Sequence, residues 1–206
     1  VAESELSAGQ LLVDVGCGRG GAGLHVAERT GARLLGLDIS AVAVEEARAR
    51  AVARGLAGRA SFRVGEFERT GLDEASVRVV MSVDALTFAE DKAAALRELA
   101  RVLEPSGRLL FTSWDYRATP PGRPPQVADH RPLLAQAGFE VLAYEETALW
   151  RERWRGTNLG VIAEEDALAA EVGAGEAASI VERARRQLVD QIPLATRRVL
   201  VVARRV

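Results

Sequence analysis

Short apolar runs alternate along the chain with stretches of helical period. Residues 10–15 form an apolar run that ends at a glycine cluster, the pattern of a buried strand. Residues 22–30 then read as a helix stopped by Gly31, and 33–37 as a second strand. Ser40 is placed to cap a helix running to about residue 54, with Val44, Ala47 and Ala51 on one face and Gly55 as its stop. Residues 60–64 and 77–83 read as the third and fourth strands. The clearest helix spans 91–103: Leu96, Leu99, Ala100 and Leu103 fall at i, i+3, i+4 and i+7, a stripe for a core, before Pro105 and Gly107 end it. Strands follow at 108–112, 139–144 and 199–203. Strands separated by helices predict an α/β fold, a doubly wound, mostly parallel sheet of seven strands covered on both faces.

Two stretches interrupt this rhythm. Residues 117–126 hold Pro120, Pro121, Gly122, Pro124 and Pro125 and read as a loop. About fifty residues separate the last two strands, far more than a connection needs. Ile180, Val181, Ala184 and Leu188 keep helical spacing within them, which predicts an inserted helical lid. The expected organisation is one domain over 1–206, a ligand-binding core over 9–115, and a substrate loop and lid over 117–192.

Composition narrows the function classes. The 206 residues are 48% hydrophobic and 27% charged, enough apolar material for a full core and too much for disorder. The formal net charge of −2 supplies no global basic field for nucleic acid. Lys92 is the sole lysine beside 26 arginines, a bias that points to a GC-rich coding genome rather than to a function. One cysteine excludes an internal disulfide and a cysteine-rich zinc site. No apolar run approaches the roughly 20 residues of a membrane span. With no signal-peptide pattern at the start, a cytoplasmic location without a membrane partner is expected. The chain opens on Val1 rather than methionine, which leaves room for preceding residues.

The cluster Gly16-Cys17-Gly18-Arg19-Gly20-Gly21 lies between a strand and a helix. Glycines there permit positive φ and a close backbone approach to a ligand, and the loop leads into the free N–H groups of a helix start. Gly16, Gly18 and Gly21 alone make a weak motif. The context strengthens it: Asp38, 22 residues after Gly16, ends the second strand, where a carboxylate grips a ribose diol. A nucleoside is therefore expected across the first two strand ends, with the rest of the cofactor left open.

The run from Val13 to Gly20 resembles the first motif of the class I S-adenosylmethionine-dependent methyltransferases. The resemblance continues through Gly36-Leu37-Asp38-Ile39-Ser40, Val64-Gly65-Glu66-Phe67, Met81-Ser82-Val83-Asp84-Ala85-Leu86 and the stretch from Leu96 to Gly107. It covers about 9–115, with a fainter likeness at 134–141, and falls in the branch whose members mostly methylate small molecules. It implies a Rossmann-like methyltransferase fold and S-adenosylmethionine as cofactor. By this resemblance Asp14 orients the glycine loop and the methionine ammonium, and Gly16, Gly18 and Gly20 admit the methionine part. Asp38 holds the ribose, Ile39 packs on adenine, and Glu66 and Phe67 flank it. Ser82 and Val83 line the methionine side. Glu66 stands where the family usually has aspartate, and Ser106 where it usually has glycine.

Methyl transfer from a sulfonium rests largely on positioning, and a general base helps when the acceptor is a hydroxyl or a protonated amine. Asp84, just past the fourth strand, and His130, after the proline loop, are the candidate bases. Trp114 and Tyr116 follow the fifth strand and are candidate walls for a small-molecule acceptor. All four are expected around a pocket between the fourth and fifth strand ends and residues 117–192. His25 reads as structural, Cys17 as a buried residue of the turn, and Trp150 and Trp154 as part of a lid face, a pocket wall or an interface. Asp84 and Asp115 invite a magnesium reading as in catechol methyltransferases, but Tyr116 stands where an asparagine is wanted, so no metal is expected. A nicotinamide-dependent oxidoreductase is disfavoured by Asp14 directly before the glycines and by the lack of a Tyr-x-x-x-Lys pair. A cofactor-binding cyclase, scaffold or regulator stays open. No base-flipping motif points to nucleic acid. A monomer or a homodimer is expected.

Overall fold

The computed structural model describes residues 6–206; the first five residues of the span 1–206 lie outside the described part. The element order is β1 (Leu11–Val15), α1 (Gly21–Thr30), β2 (Arg33–Asp38), α2 (Ala41–Ala53), β3 (Ala60–Val64), β4 (Val77–Val83), α3 (Lys92–Val102), β5 (Leu103–Tyr116), α4 (Arg131–Gln136), β6 (Phe139–Glu146), α5 (Trp150–Ala163), α6 (Glu165–Val172), α7 (Ala174–Arg186) and β7 (Ala195–Arg205). A single 3-10 turn, Leu86–Phe88, precedes α3, and a π-helical turn, Gln187–Gln191, follows α7. The seven strands form one sheet in the order β3-β2-β1-β4-β5-β7-β6. The pairings β1–β2, β1–β4, β2–β3 and β4–β5 are parallel.

The chain divides into two compact units. The first comprises the described residues up to Ser113, Asp129–Glu145 and Val199–Val206. Its central strands β1 and β4 are buried on both faces because helices cover both, as inner parallel strands require. One cluster packs Leu12, Leu34, Val79 and Met81 of the sheet with Leu24 of α1 and Val44, Ala47 and Ala51 of α2. Another packs Val13, Val80, Leu109 and Phe111 with Leu96 and Leu99 of α3 and Leu134 of α4. Local chemistry fixes the helix starts. The Ser40 Oγ accepts from Ala43 N at 3.2 Å, and the Asp91 Oδ1 accepts from Ala94 N at 2.9 Å.

The second unit comprises Trp114–Ala128 and Glu146–Arg198. Its apolar centre is Tyr116, Trp150 and Ala195, flanked by Trp114, Trp154 and Leu194. Trp150 Nε1 donates to Glu146 Oε1 and Trp154 Nε1 to Gln187 Oε1, both at 2.8 Å. Arg151 donates to the carbonyls of Ile192 and Ala195 at 2.9 Å and stacks over Trp150. The buried Asp115 carboxylate pairs with Arg197 at 2.6 Å. The proline loop is anchored by Tyr116 N on Val127 O and Gln126 N on Thr119 Oγ1.

β5 and β7 run well past the 108–112 and 199–203 expected from the pattern. β5 begins directly at the end of α3, and Pro105 and Gly107 lie within it rather than between elements. The β4–β5 register shifts between Val77 and Val79, an irregularity that accommodates Ser106 at φ +62°. The inserted segment holds three helices where the spacing marked one. None of the described helices is long and apolar enough to cross a membrane.

Candidate functional site

The glycine loop leaves β1 and turns back on β2. Gly16 N and Cys17 N both donate to Leu37 O, at 2.8 and 3.0 Å. Gly16 has φ +73°, and a Cβ there would stand 2.3 Å from the Ala85 Cβ, so only glycine fits. Gly18, at φ +52°, has nothing within 4 Å of where its Cβ would be. Open space over a left-handed backbone is what a ligand lying against the loop requires.

Asp38 organises this loop from the end of β2. Its Oδ2 accepts from Gly18 N at 2.8 Å and its Oδ1 from Ser40 N at 2.9 Å. One carboxylate thus ties the glycine loop to the start of α2, and each oxygen keeps further lone-pair capacity for a hydroxyl.

These elements border a cavity of about 620 Å³ within the first unit, in the range of small-molecule sites. The structure brings Gly16, Asp38, Ile39, Glu66, Phe67, Val83 and Asp84 together on its wall. Ile39 is 72% exposed there, Phe88 59% and Val83 40%. Apolar side chains left open in a cleft offer a surface for a flat ring. Glu66 reaches toward Arg69 at 3.9 Å. Ser40, Glu68, Ala85, Phe88, Ala89 and Glu90 also line the cavity, and the sequence reading missed them as site residues. Their signal was position: the stretch directly after a strand end, where α/β folds bind ligands.

Asp84 has a specific setting. It follows the last residue of β4 with φ +56°, a left-handed conformation that costs a non-glycine residue about 1–2 kcal/mol. Its neighbour across the sheet holds it there. Asp84 N donates to the carbonyl and to the hydroxyl of Thr112, at 3.0 and 3.1 Å, and Thr112 Oγ1 donates to Asp84 Oδ1 at 2.7 Å. The register Val83↔Thr112 sets this contact. Thr112, too, was not marked as a site residue.

Asp14, Gly18, Gly20 and Ser82 do not line the cavity wall. Gly20, at φ +77°, caps α1. Asp14 is 1% exposed, and its Oδ1 has no hydrogen-bond partner among the described residues. Burial raises its pKa to about 7, opposed by the Gly23 N–H and reinforced by the negative Asp38. Burial also pushes the Cys17 thiol up to about 12, so it stays protonated. Ser82 is buried.

The remaining candidates stand elsewhere. His130 is fully buried, edge-on to the Phe111 ring at 5.5 Å, with Nδ1 3.4 Å from Tyr144 Oη. It does not line the cavity that holds Asp84. Trp114 and Tyr116 belong to the second unit. There Trp114 stacks on Trp154 at 4.9 Å, and Tyr116 is 3% exposed. Among the described residues no group of three or more His, Cys, Asp or Glu is placed to hold a metal ion.

A family model described as "Methyltransferase domain" matches residues 13–111, from β1 to β5. Aklanonic acid methyltransferase DauC of Streptomyces sp. (strain C5) is 36% identical over 155 residues, covering 74% of this chain and 65% of that protein. Over residues 13–111 the chain matches the class I S-adenosylmethionine-dependent methyltransferases. The chloroplastic tocopherol O-methyltransferase of Arabidopsis thaliana is 35% identical over 106 residues, 52% of this chain and 30% of that protein. The chain thus spans about a third to two thirds of the length of these two curated methyltransferases. The solved structure of the [4+2]-cyclase SpnF superposes with a TM-score of 0.85 at 24% identity, over 99% of this chain and 77% of that one. A sarcosine dimethylglycine methyltransferase structure from Galdieria sulphuraria gives 0.83 at 18% identity, over 98% and 81%. These two likenesses establish the methyltransferase fold. The family cofactor is S-adenosylmethionine, and the apolar cleft wall of Ile39, Phe67 and Phe88 beside the Asp38 carboxylate fits it.

Proposed function

We propose that this chain is a methyltransferase that binds S-adenosylmethionine in the cavity of the first unit and methylates a small-molecule acceptor, in specialised metabolism. When bound, the cofactor supplies a sulfonium methyl group for in-line transfer to a nucleophile. The observation that carries the reading is the convergence of Gly16, Asp38, Ile39 and Phe67 on one cavity at the carboxyl ends of β1 to β3. Asp38 would hold the ribose diol, Ile39 and Phe67 the adenine with Glu66 at its edge, and the glycine loop with Asp14 the methionine part. Ser82 and Val83 would bound that part from β4.

Of the two candidate bases, Asp84 stands ahead of His130 because it lines this cavity and His130 does not. Trp114 and Tyr116 are assigned to acceptor contact. The relatives support a small acceptor: their names include tocopherol and aklanonic acid methyltransferases. A cytoplasmic location and a monomeric or homodimeric state complete the proposal.

The second reading, a methyltransferase fold that serves as a cyclase or scaffold, is favoured by the SpnF likeness alone, which speaks to fold. Incubation with methyl-tritiated S-adenosylmethionine and a panel of phenolic, carboxylic and amine acceptors separates the two. Label moving to an acceptor supports methyl transfer. Tight cofactor binding with no transfer to any acceptor class supports the second reading.

A further inference from the structure

The Asp84–Thr112 pair sits at a particular point of the cofactor cavity, and its position follows from the sheet order. Taking the cavity as the cofactor site, as above, the ribose stands at Asp38 on the end of β2, and the adenine lies against Ile39 and Phe67, toward β3. The methionine part must then extend the other way, across β1 to β4. The sulfonium, which joins methionine to ribose, stands on that path. Asp84 directly follows β4 and lines the same cavity. The fold tolerates a left-handed aspartate there and spends a hydroxyl of β5 on holding its carboxylate. A strained residue held in this way at a site calls for a use of its charge.

We propose that Asp84, fixed by Thr112, is a charge discriminator: it favours the cationic sulfonium of S-adenosylmethionine over the neutral thioether of S-adenosylhomocysteine. The Coulomb term acts on one form of the cofactor and not on the other. It therefore weakens the site's hold on the product once the methyl group and the positive charge have left. Thr112 acts through Asp84 and is a positioning residue.

The test is calorimetric titration of three probes: S-adenosylmethionine, S-adenosylhomocysteine and sinefungin, whose amine restores a positive charge near the sulfonium position. The wild-type chain should bind the two cations about tenfold more tightly than the thioether. Asp84→Asn should abolish that preference while still binding S-adenosylhomocysteine, since asparagine accepts the left-handed backbone. Thr112→Val should reduce the preference about threefold, Thr112→Ser should restore it, and Thr112→Val should add nothing on top of Asp84→Asn. A wild type without preference overturns the proposal, as does a preference unchanged in Asp84→Asn. A wild type that binds none of the three overturns the reading of the cavity itself, and the proposal with it.

Discussion

Helices α3 and α6 are both built largely from alanine, leucine and charged residues, yet they are held in opposite ways. α3 starts on the Asp91 cap and buries Lys92, Ala95, Leu96, Leu99, Ala100 and Val102. α6 has no side-chain cap and no buried residue. The contrast extends to their units. In the first, β1 and β4, buried on both faces, fix the glycine loop and the Asp84 turn that border the cavity. In the second, a short stripe on α7 (Ala177, Val181 and Ala184) and a few aromatic and arginine anchors carry the order: Trp150, Trp154, Arg151 and the Asp115–Arg197 pair. A cofactor of constant shape suits the first kind of frame. A lightly anchored segment leaves room for sequence change, which suits a part assigned to acceptor choice.

The largest expected effect tests the rigid side. Leu96→Ala removes a fully buried side chain from the main cluster and should cost about 2–5 kcal/mol of stability by denaturant unfolding. A cost under about 1 kcal/mol would mean that the cluster collapses freely and that the frame is not rigid. Next, Asp38→Ala should weaken S-adenosylhomocysteine binding by roughly 2–4 kcal/mol, from two charge-assisted hydrogen bonds less what water recovers. Because Asp38 also holds Gly18 N and Ser40 N, some of that loss should appear as a less ordered glycine loop, read from amide hydrogen exchange.

A pH dependence sharpens the same side. The Asp14 pKa is raised from 3.8 to about 7 in the folded chain by burial. Between these values the native state keeps a proton that the unfolded state has lost. Stability of the ligand-free protein should therefore fall as pH rises from about 4 to about 7, by at most about 1.4 kcal/mol per unit from this group. Asp14→Asn keeps an acceptor for Gly23 N–H and should remove this component from melting curves taken across that range. An identical slope in the variant would place the proton elsewhere. The smallest effect belongs to the other region: Leu168→Ala in α6 should change stability by less than about 1 kcal/mol, because no residue of that helix is fully buried.

The frame was legible in the sequence because its signals are local. The stripe of Leu96, Leu99 and Ala100, the caps at Ser40 and Asp91, and the glycine loop followed by Asp38 each state their own geometry. What was not legible depends on partners distant in the chain. Trp114, Asp115 and Tyr116 read as following the fifth strand rather than as part of it, because a central aspartate breaks the apolar alternation; Arg197, 82 residues away, pairs with it. His130 read as a candidate base because sequence cannot show that Phe111 and Tyr144 enclose it. Thr112 went unnoticed because only the β4–β5 register brings its hydroxyl to Asp84. Helices α5 and α6 lack a clean apolar period, since aromatic anchors and exposed alanines stand where a stripe would.

The central claim is that the cavity of the first unit is built for S-adenosylmethionine and its product. Side-by-side calorimetric titration of the wild-type chain with S-adenosylhomocysteine and with NAD tests it most directly. The account predicts a single site for S-adenosylhomocysteine, weakened by Asp38→Ala, and no heat with NAD. Binding of NAD with none of S-adenosylhomocysteine would contradict it.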